Sequence, residues 1–338
     1  MTQTGKSLKG SHFPVMLSEV MSLCHKFEGG KFLDCTFGAG GYSKKLLEIP
    51  NSKIVALDRD VSANYFAEKI KKKFPNRFFY YNERFSNLGK INLDEKFDVI
   101  IFDLGLSSVQ INDTNRGFSF NSDGPLDMRM GLSKSTAENV LNTFPEKDLK
   151  FILKFFGEEK DSNKIAKNIV KKRGIKKIKS VRELVELIYN SKKKIFSEKI
   201  NPCTKSFQAI RIFVNKEITE LIEGIIQATK LLKKGGKIII ISFHSIEDKI
   251  VKFFFKSNSS NVSNLSRYMP EQSNNKNFYL FEKYKNKIFR PKLSEIKKNK
   301  ASRSAKMRFA TRSKYDFHEI ESLKNKFKKY LDLEKKNV

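Results

Sequence analysis

Short β-rich runs alternate with helical stretches through the first hundred residues, and this alternation is the strongest constraint on the fold. Lys31–Asp34, Ile54–Asp58, Arg77–Tyr81 and Phe97–Asp103 read as strands, and Tyr42–Glu48 as the helix after the first of them. Strands spaced this way, with helices between them, argue for an α/β fold built on a parallel sheet. Far downstream a helix over Ile218–Leu232 meets a Lys233–Gly236 turn, and Lys237–Phe243 follows as another central strand. From Asp103 to Lys237 the chain runs 134 residues, whereas one crossover between parallel strands needs only about 30. Most of the excess reads as helix. Ser135-Thr-Ala-Glu138 and Ser180-Val-Arg-Glu183 have capping-box spacing, and each opens an apolar run of helical period. The expected organisation is a discontinuous sheet domain, residues 1–134 and 201–338, interrupted by a helical insert at 135–200. A Ser/Asn-rich loop at Ser257–Asn275 reads as mobile. The late β-like runs Phe278–Phe289 and Ser304–Arg312 are expected to pair antiparallel at the sheet edge.

Between the first strand and its helix lies Asp34-Cys-Thr-Phe-Gly-Ala-Gly-Gly41. In an open parallel sheet, nucleotide-type ligands bind at the carboxyl ends of the strands. Gly38, Gly40 and Gly41 permit close backbone approach. The spacing is Gly-x-Gly-Gly with an acid in front, unlike the Gly-x-Gly-x-x-Gly of dinucleotide binders. A pyrophosphate favours an uncluttered helix N-terminus, whereas a sulfonium amino acid tolerates a carboxylate. Asp58 ends the second strand, where it can accept hydrogen bonds from two ribose hydroxyls. Phe85 follows the third strand and can enclose an adenine, and Asp103 ends the fourth, beside the reacting group. Four such features at the ends of four successive strands favour a methyl-donor site over a dehydrogenase.

The net charge of +30 favours a polyanionic partner. Codon bias toward Lys and Asn is the competing explanation, and clustering decides between them. Lys164–Lys194 holds twelve Lys/Arg against two Glu, and Glu282–Lys314 thirteen against two. Cys24, Cys35 and Cys203 form no CxxC pair, so neither a disulfide framework nor a zinc site is expected. No apolar run approaches a membrane span, and the N-terminal residues lack the apolar core of a secretory signal. The expectation is a cytoplasmic protein.

Larger blocks of sequence resemble the bacterial 16S rRNA (cytosine-N4)-methyltransferase family (MraW/RsmH). They are His12–Leu17, Asp34–Ser43, Phe102–Ser108, Arg116–Phe120, Asp123-Gly-Pro-Leu-Asp-Met-Arg-Met130, Phe156–Glu159, Thr204–Ile212, Ile241–Asp248 and Arg303–Arg308. They run in order from about His12 to Arg312. The resemblance implies a class I (Rossmann-like) methyltransferase sheet with an inserted all-α substrate-recognition domain. It implies S-adenosyl-L-methionine as donor and a cytosine at the ribosomal decoding centre as acceptor, in 16S rRNA or the small ribosomal subunit. Carried over residue by residue, the donor contacts are Gly40, Gly41, Tyr42, Asp58, Phe85, Asp103 and Gln110. Tyr42 stands where the family usually has His, and Lys300 where it favours Pro.

Methylating an exocyclic amine requires holding its nitrogen in line with the donor and giving its N–H groups acceptors. Asp103 and the carbonyls of its turn are expected to accept from N4, with Ser107 or Ser108 holding the base. Arg116, Phe118, Phe120 and His244 are candidate base-binding residues. The two phenylalanines serve either as a stacking platform for a splayed-out base or as packing for the insert. His244 either orients substrate or is structural, and Glu247 and Asp248 either face the same cleft or complement a helix N-terminus. No residue set calls for a metal. Monomer and homodimer are both open. A non-catalytic RNA binder would need only the lysine clusters, and a small-molecule methyltransferase would need no basic insert.

Overall fold

The computed structural model describes residues 14–93, 95–192, 201–260 and 278–337, and of Ser108 the backbone alone. His12 and Phe13, the last residues of the insert and most of the Ser/Asn-rich loop lie outside the described residues. Six strands form one sheet: β1 (Lys31–Asp34), β2 (Lys53–Leu57), β3 (Phe78–Tyr81), β4 (Phe97–Asp103), β5 (Leu232–Ser242) and β6 (Lys306–Thr311). Their order is β3-β2-β1-β4-β5-β6. The first five are parallel, and β6 runs antiparallel to β5. The order reverses between β1 and β4, so their carboxyl ends open the crevice where such sheets bind ligands.

Alternation along the strands divides the core into two layers. Phe32, Ile54, Ala56, Val99, Ile101, Ile239 and Ile241 share one layer with Val20, Leu46, Ala67 and Ile70 of three helices. These helices are Leu17–Cys24, Gly41–Leu46 and Asn64–Lys73. Leu33, Ile100, Phe102, Ile238 and Ile240 face the other way, onto the helices Glu217–Leu231 and Ser245–Ser257. That second layer continues without a break into the 135–200 segment. Phe156, Ile165, Ile169, Leu184 and Ile188 belong to the same buried cluster, joined through Ile210 and Phe213 of the helix Thr204–Asn215. Four described helices make up the segment: Ala137–Thr143, Glu146–Gly157, Ser162–Ile175 and Val181–Ser191. The chain leading into it pairs with it, since Val181 N–H donates to Gly124 O at 3.0 Å and Leu126 N–H to Lys179 O at 3.1 Å. Near the end of the chain, Glu334 is fully buried against the helix Glu217–Leu231. It accepts from Ile218 N–H at 3.1 Å, Thr219 N–H at 2.7 Å and the Thr219 hydroxyl at 2.6 Å. A C-terminal carboxylate thus satisfies first-turn donors that the helix itself cannot.

Local details depart from sequence expectation in three places. The first insert helix is capped by Thr136 and Asn139 rather than Ser135 and Glu138, because Asn139 reaches back to the N-cap as Glu would; the Ser180–Glu183 box forms as expected. Lys233–Gly236 is not a turn before β5 but lies inside it. The register with β4 shifts between Phe97 and Val99, and Gly235 at φ +79° absorbs the irregularity. Phe278–Phe289 forms no continuous strand. It touches the sheet region through isolated antiparallel bridges, Phe281 to Arg312 and Phe289 to Met307. Among the described residues no helix is long and apolar enough to cross a membrane.

Gly131 anchors the segment between β4 and the insert onto the end of β2. Its φ is +77°, and a Cβ there would lie 2.1 Å from the Arg59 carbonyl oxygen. Gly131→Ala is therefore expected to cost about 3 kcal/mol or more in urea unfolding. A loss under about 1 kcal/mol would contradict this packing.

Candidate active site

A cleft enclosing about 1060 Å³, counting space open to solvent, lies over the carboxyl ends of β1, β2, β4 and β5. One wall carries Cys35, Thr36, Gly38, Asp58, Arg59 and Phe85, and the helix Glu217–Leu231 closes it with Glu217, Glu220 and Leu221. The other wall carries Asp103 to Ser107, Phe243, Glu247, Asn299 and Ala301. Asp103 stands between the two.

Asp58 is locked in place by the backbone around it. Its Oδ2 accepts from Gly38 N–H at 2.7 Å and its Oδ1 from Asp60 N–H at 2.8 Å. Gly38 supplies that donor at φ +56°, a conformation that favours glycine. Burial raises the Asp58 carboxyl to about 6, against the lowering effect of these two N–H donors. Asp34 is also buried and raised to about 6 by desolvation, and it accepts from the Ser43 hydroxyl at 2.7 Å. Its role is to tie the turn to the following helix, not to line the cleft. Phe85 packs edge-on against Phe102, with ring centroids 5.3 Å apart.

Asp103 is the most perturbed acid in the cleft. Its backbone N–H donates to Thr36 Oγ1 at 2.7 Å, and its Oδ1 is buried with no hydrogen-bond partner among the described residues. Burial raises the carboxyl to about 8, the Tyr42 hydroxyl opposes this, and Asp34, Glu247 and Glu295 reinforce it. The Tyr42 hydroxyl donates to the Val15 carbonyl and also lies 3.3 Å from Asp103 Oδ2. One hydroxyl has one proton to give. With that proton on the Val15 carbonyl, a protonated Asp103 can donate to the phenol oxygen, as its raised pKa allows.

The remaining sequence candidates are spread over several roles. Gly40 and Gly41 have no room for a side chain: a Cβ on Gly40 would meet Ile70 and Phe37, and one on Gly41 would meet Pro14. The Tyr42 ring is buried in the outer core layer, so its aromatic face is spent on packing. Gln110 lines the cleft, yet its amide is already engaged, with Oε1 accepting from Ser107 N–H at 2.9 Å and Nε2 donating to Asp60 at 2.7 Å. Ser107 lines the cleft and caps the helix Ser108–Asn112, its hydroxyl accepting from Gln110 N–H at 3.2 Å. The Ser108 side chain lies outside the described residues. Arg116 pairs with Asp60 at 2.6 Å and covers the Phe118 ring at 5.3 Å. Phe118 is buried in the inner core, and Phe120 packs on Phe207 at 5.9 Å; neither lines the cleft.

His244 caps the helix Ser245–Ser257, its Nδ1 accepting from Glu247 N–H at 3.4 Å. Its Nε2 lies 3.0 Å from Glu247 Oε1 and is buried with no hydrogen-bond partner among the described residues. Glu217, His244 and Glu247 bring ligand-type atoms within 4.8 Å of one another. Arg211 already grips Glu217 with two bonds of 2.8 Å. Thr36, Arg59, Glu217, Glu220 and Phe243 were not singled out from sequence. Only Phe243, at the end of a strand already identified, left a usable signal.

The basic clusters also divide. Lys164, Lys167, Lys171, Lys172, Lys176 and Lys177 are exposed on and after the helix Ser162–Ile175. Within the second cluster, Lys283, Lys285, Lys287, Lys297 and Lys298 are exposed. Arg308 and Arg312 are not: Arg308 is buried 2.7 Å from Asp248, and Arg312 is buried on the Leu280 carbonyl at 2.7 Å.

The model of the MraW methylase family matches residues 9–313. The ribosomal RNA small subunit methyltransferase H of Ehrlichia canis (strain Jake) is 43% identical over 301 residues, 88% of this chain and 98% of that one. The protein of the same name from Rickettsia canadensis (strain McKiel) is 42% identical over 306 residues, 90% of this chain and 98% of that one. Backbone N–H groups fix the Asp58 carboxylate, the Phe85 ring lines the same cleft, and Asp103 Oδ1 is buried there with no hydrogen-bond partner among the described residues. The chain is a member of the MraW methylase family, and its methyl donor is S-adenosyl-L-methionine.

Proposed function

We propose that the chain methylates the exocyclic N4 of one cytosine in 16S rRNA, at the decoding centre of the small ribosomal subunit. Residues 135–200 and the exposed lysines of 283–298 serve as its RNA-facing parts. The observation that carries this reading is Asp103, a buried acid with an unpartnered oxygen at the junction of the two cleft walls. The names of the relatives from Ehrlichia and Rickettsia support an rRNA substrate, and the exposed lysines supply the phosphate contacts it needs.

When bound, S-adenosyl-L-methionine supplies an electrophilic methyl group on a positively charged sulfur. Gly38, Asp58 and Phe85 hold its nucleoside; Gly40, Gly41, Tyr42 and Gln110 shape the turn and the loop around it. A sulfonium held in the cleft would lower the raised pKa of Asp103 and favour its carboxylate. Oδ1 then accepts one N–H of the cytosine amine, which draws the nitrogen lone pair out of the ring. The same oxygen would take the proton the amine gives up when it gains the methyl group, the sulfur keeping the electron pair of the broken S–C bond and leaving as the neutral thioether S-adenosylhomocysteine. Phe243, on the acceptor wall, offers a face for stacking the splayed-out base. Ser107 and Ser108, on the loop after Asp103, would hold the base. Arg116, Phe118 and His244 support the loops through their ion pair, packing and cap, and Phe120 braces the insert.

Labelled methyl transfer to small subunits, free 16S rRNA, DNA and total protein tests the reading. Label is expected in N4-methylcytidine from rRNA. Label recovered only in protein, DNA or another nucleoside would overturn it.

A further inference from the structure

We infer that Glu220 recognises the adenine of the methyl donor by accepting from its exocyclic amine. The inference rests on the reading that Gly38, Asp58 and Phe85 form the nucleoside wall. Glu220 is only 4% exposed and lines the cleft. Arg84 Nη1 holds its Oε1 at 3.1 Å, while its Oε2 is buried with no hydrogen-bond partner among the described residues. Buried polar atoms in folded proteins are nearly always satisfied, so an orphaned carboxylate oxygen in a cleft wall marks a place for a ligand donor.

The helix register puts Glu220 on the face that meets the aromatic ring lining the same cleft. Gly224, one turn after Glu220, sits so tightly on Phe85 that a Cβ would lie 2.3 Å from its Cδ2. Residues four apart share a helix face. Glu220 and the glycine that touches the Phe85 ring therefore lie on one helix face, about 6 Å apart along the axis. Arg59, directly after the ribose-binding Asp58, completes the edge. Its Nη1 donates to the Asn215 carbonyl at 3.0 Å and its Nη2 to the Ser133 hydroxyl at 2.8 Å. Its Nε, a donor, is likewise buried with no hydrogen-bond partner among the described residues. An acceptor at Glu220 and a donor at Arg59 match the N6–H and N1 of adenine. They oppose the O6 and N1–H of hypoxanthine, in which donor and acceptor are exchanged.

Calorimetric binding of S-adenosylhomocysteine and S-inosylhomocysteine tests this without any turnover. The wild-type protein is expected to prefer the adenosyl ligand by about a hundredfold. Glu220→Gln can turn its amide N–H toward O6, so the preference is expected to narrow to within about tenfold, chiefly through tighter inosyl binding. Equal wild-type affinity for the two ligands would overturn the inference. So would a Gln variant that weakens both ligands by the same factor, the signature of a purely structural role. Asp58→Ala is measured alongside. If it leaves S-adenosylhomocysteine affinity unchanged, the nucleoside-wall reading itself is wrong, an outcome separate from failure of the Glu220 assignment.

Discussion

Asp103→Asn is expected to slow methyl transfer by about a thousandfold and, at pH 8, to make the folded protein more stable. Both effects follow from the same burial. The Asp103 carboxyl has a pKa of about 8 in the fold against an ordinary value of 3.8. Between those values the folded chain keeps a proton that the unfolded chain has lost. Stability is therefore full below the lower value and declines as pH rises toward the upper one. Asn cannot ionise, so the variant escapes that decline. Between pH 6 and pH 8 its advantage over the wild type should grow by about 2 kcal/mol, visible as a widening difference in melting temperature. Asn also presents one oxygen and no charge to the acceptor amine, and it cannot take a proton. Unchanged turnover, or a stability difference that does not vary with pH, would dismiss Asp103 from this role.

Asp58→Ala is expected to weaken donor binding by at least about a hundredfold, since two charge-assisted hydrogen bonds to the ribose disappear together. The Gly38 and Asp60 N–H groups also lose their acceptor, so the turn loosens at the same time. For the wild type a pH dependence follows. The Asp58 carboxyl sits at about 6. It accepts two ribose hydroxyls only when ionised, so affinity should hold above pH 6 and fall by up to about tenfold per unit below it. Binding of S-adenosylhomocysteine measured by calorimetry from pH 5 to 7.5 checks the slope, and the Ala variant should flatten it. A wild-type affinity independent of pH over that range would show that the Asp58 charge is not used.

The strand ends were legible in the sequence because they depend on local pattern. Apolar runs fix the strand interiors, and Asp58 and Asp103 stand at or next to the last strand residue in the expected register. Side-chain direction was not legible in the same way. Gly40, Gly41 and Tyr42 occupy the expected turn, yet what packs on their Cβ side depends on Phe37 of the same turn and on Pro14 and Ile70, which arrive from two other segments. Glu220 and Arg59 were missed for a related reason. Each looks like a surface charge until the chain, more than a hundred residues after β2, returns and lays Gly224 against Phe85. The buried Arg308 and Arg312 were counted with the surface cations because net charge carries no information about where an arginine packs.

The contact between Glu334 and the helix Glu217–Leu231 has a consequence for biosynthesis. A ribosome delivers this chain from its N-terminus, so β1 to β4, the glycine turn and Asp58 all emerge well before the residue that seats the helix opposite them. The Glu334 bond to Ile218 spans 116 positions. A nascent chain that has not yet reached position 334 has the nucleoside-facing strands in hand but lacks the contact that steadies the first turn of that helix, where Glu217 and Glu220 stand. The first turn of that helix therefore gains its last acceptor only after residue 334 has been made.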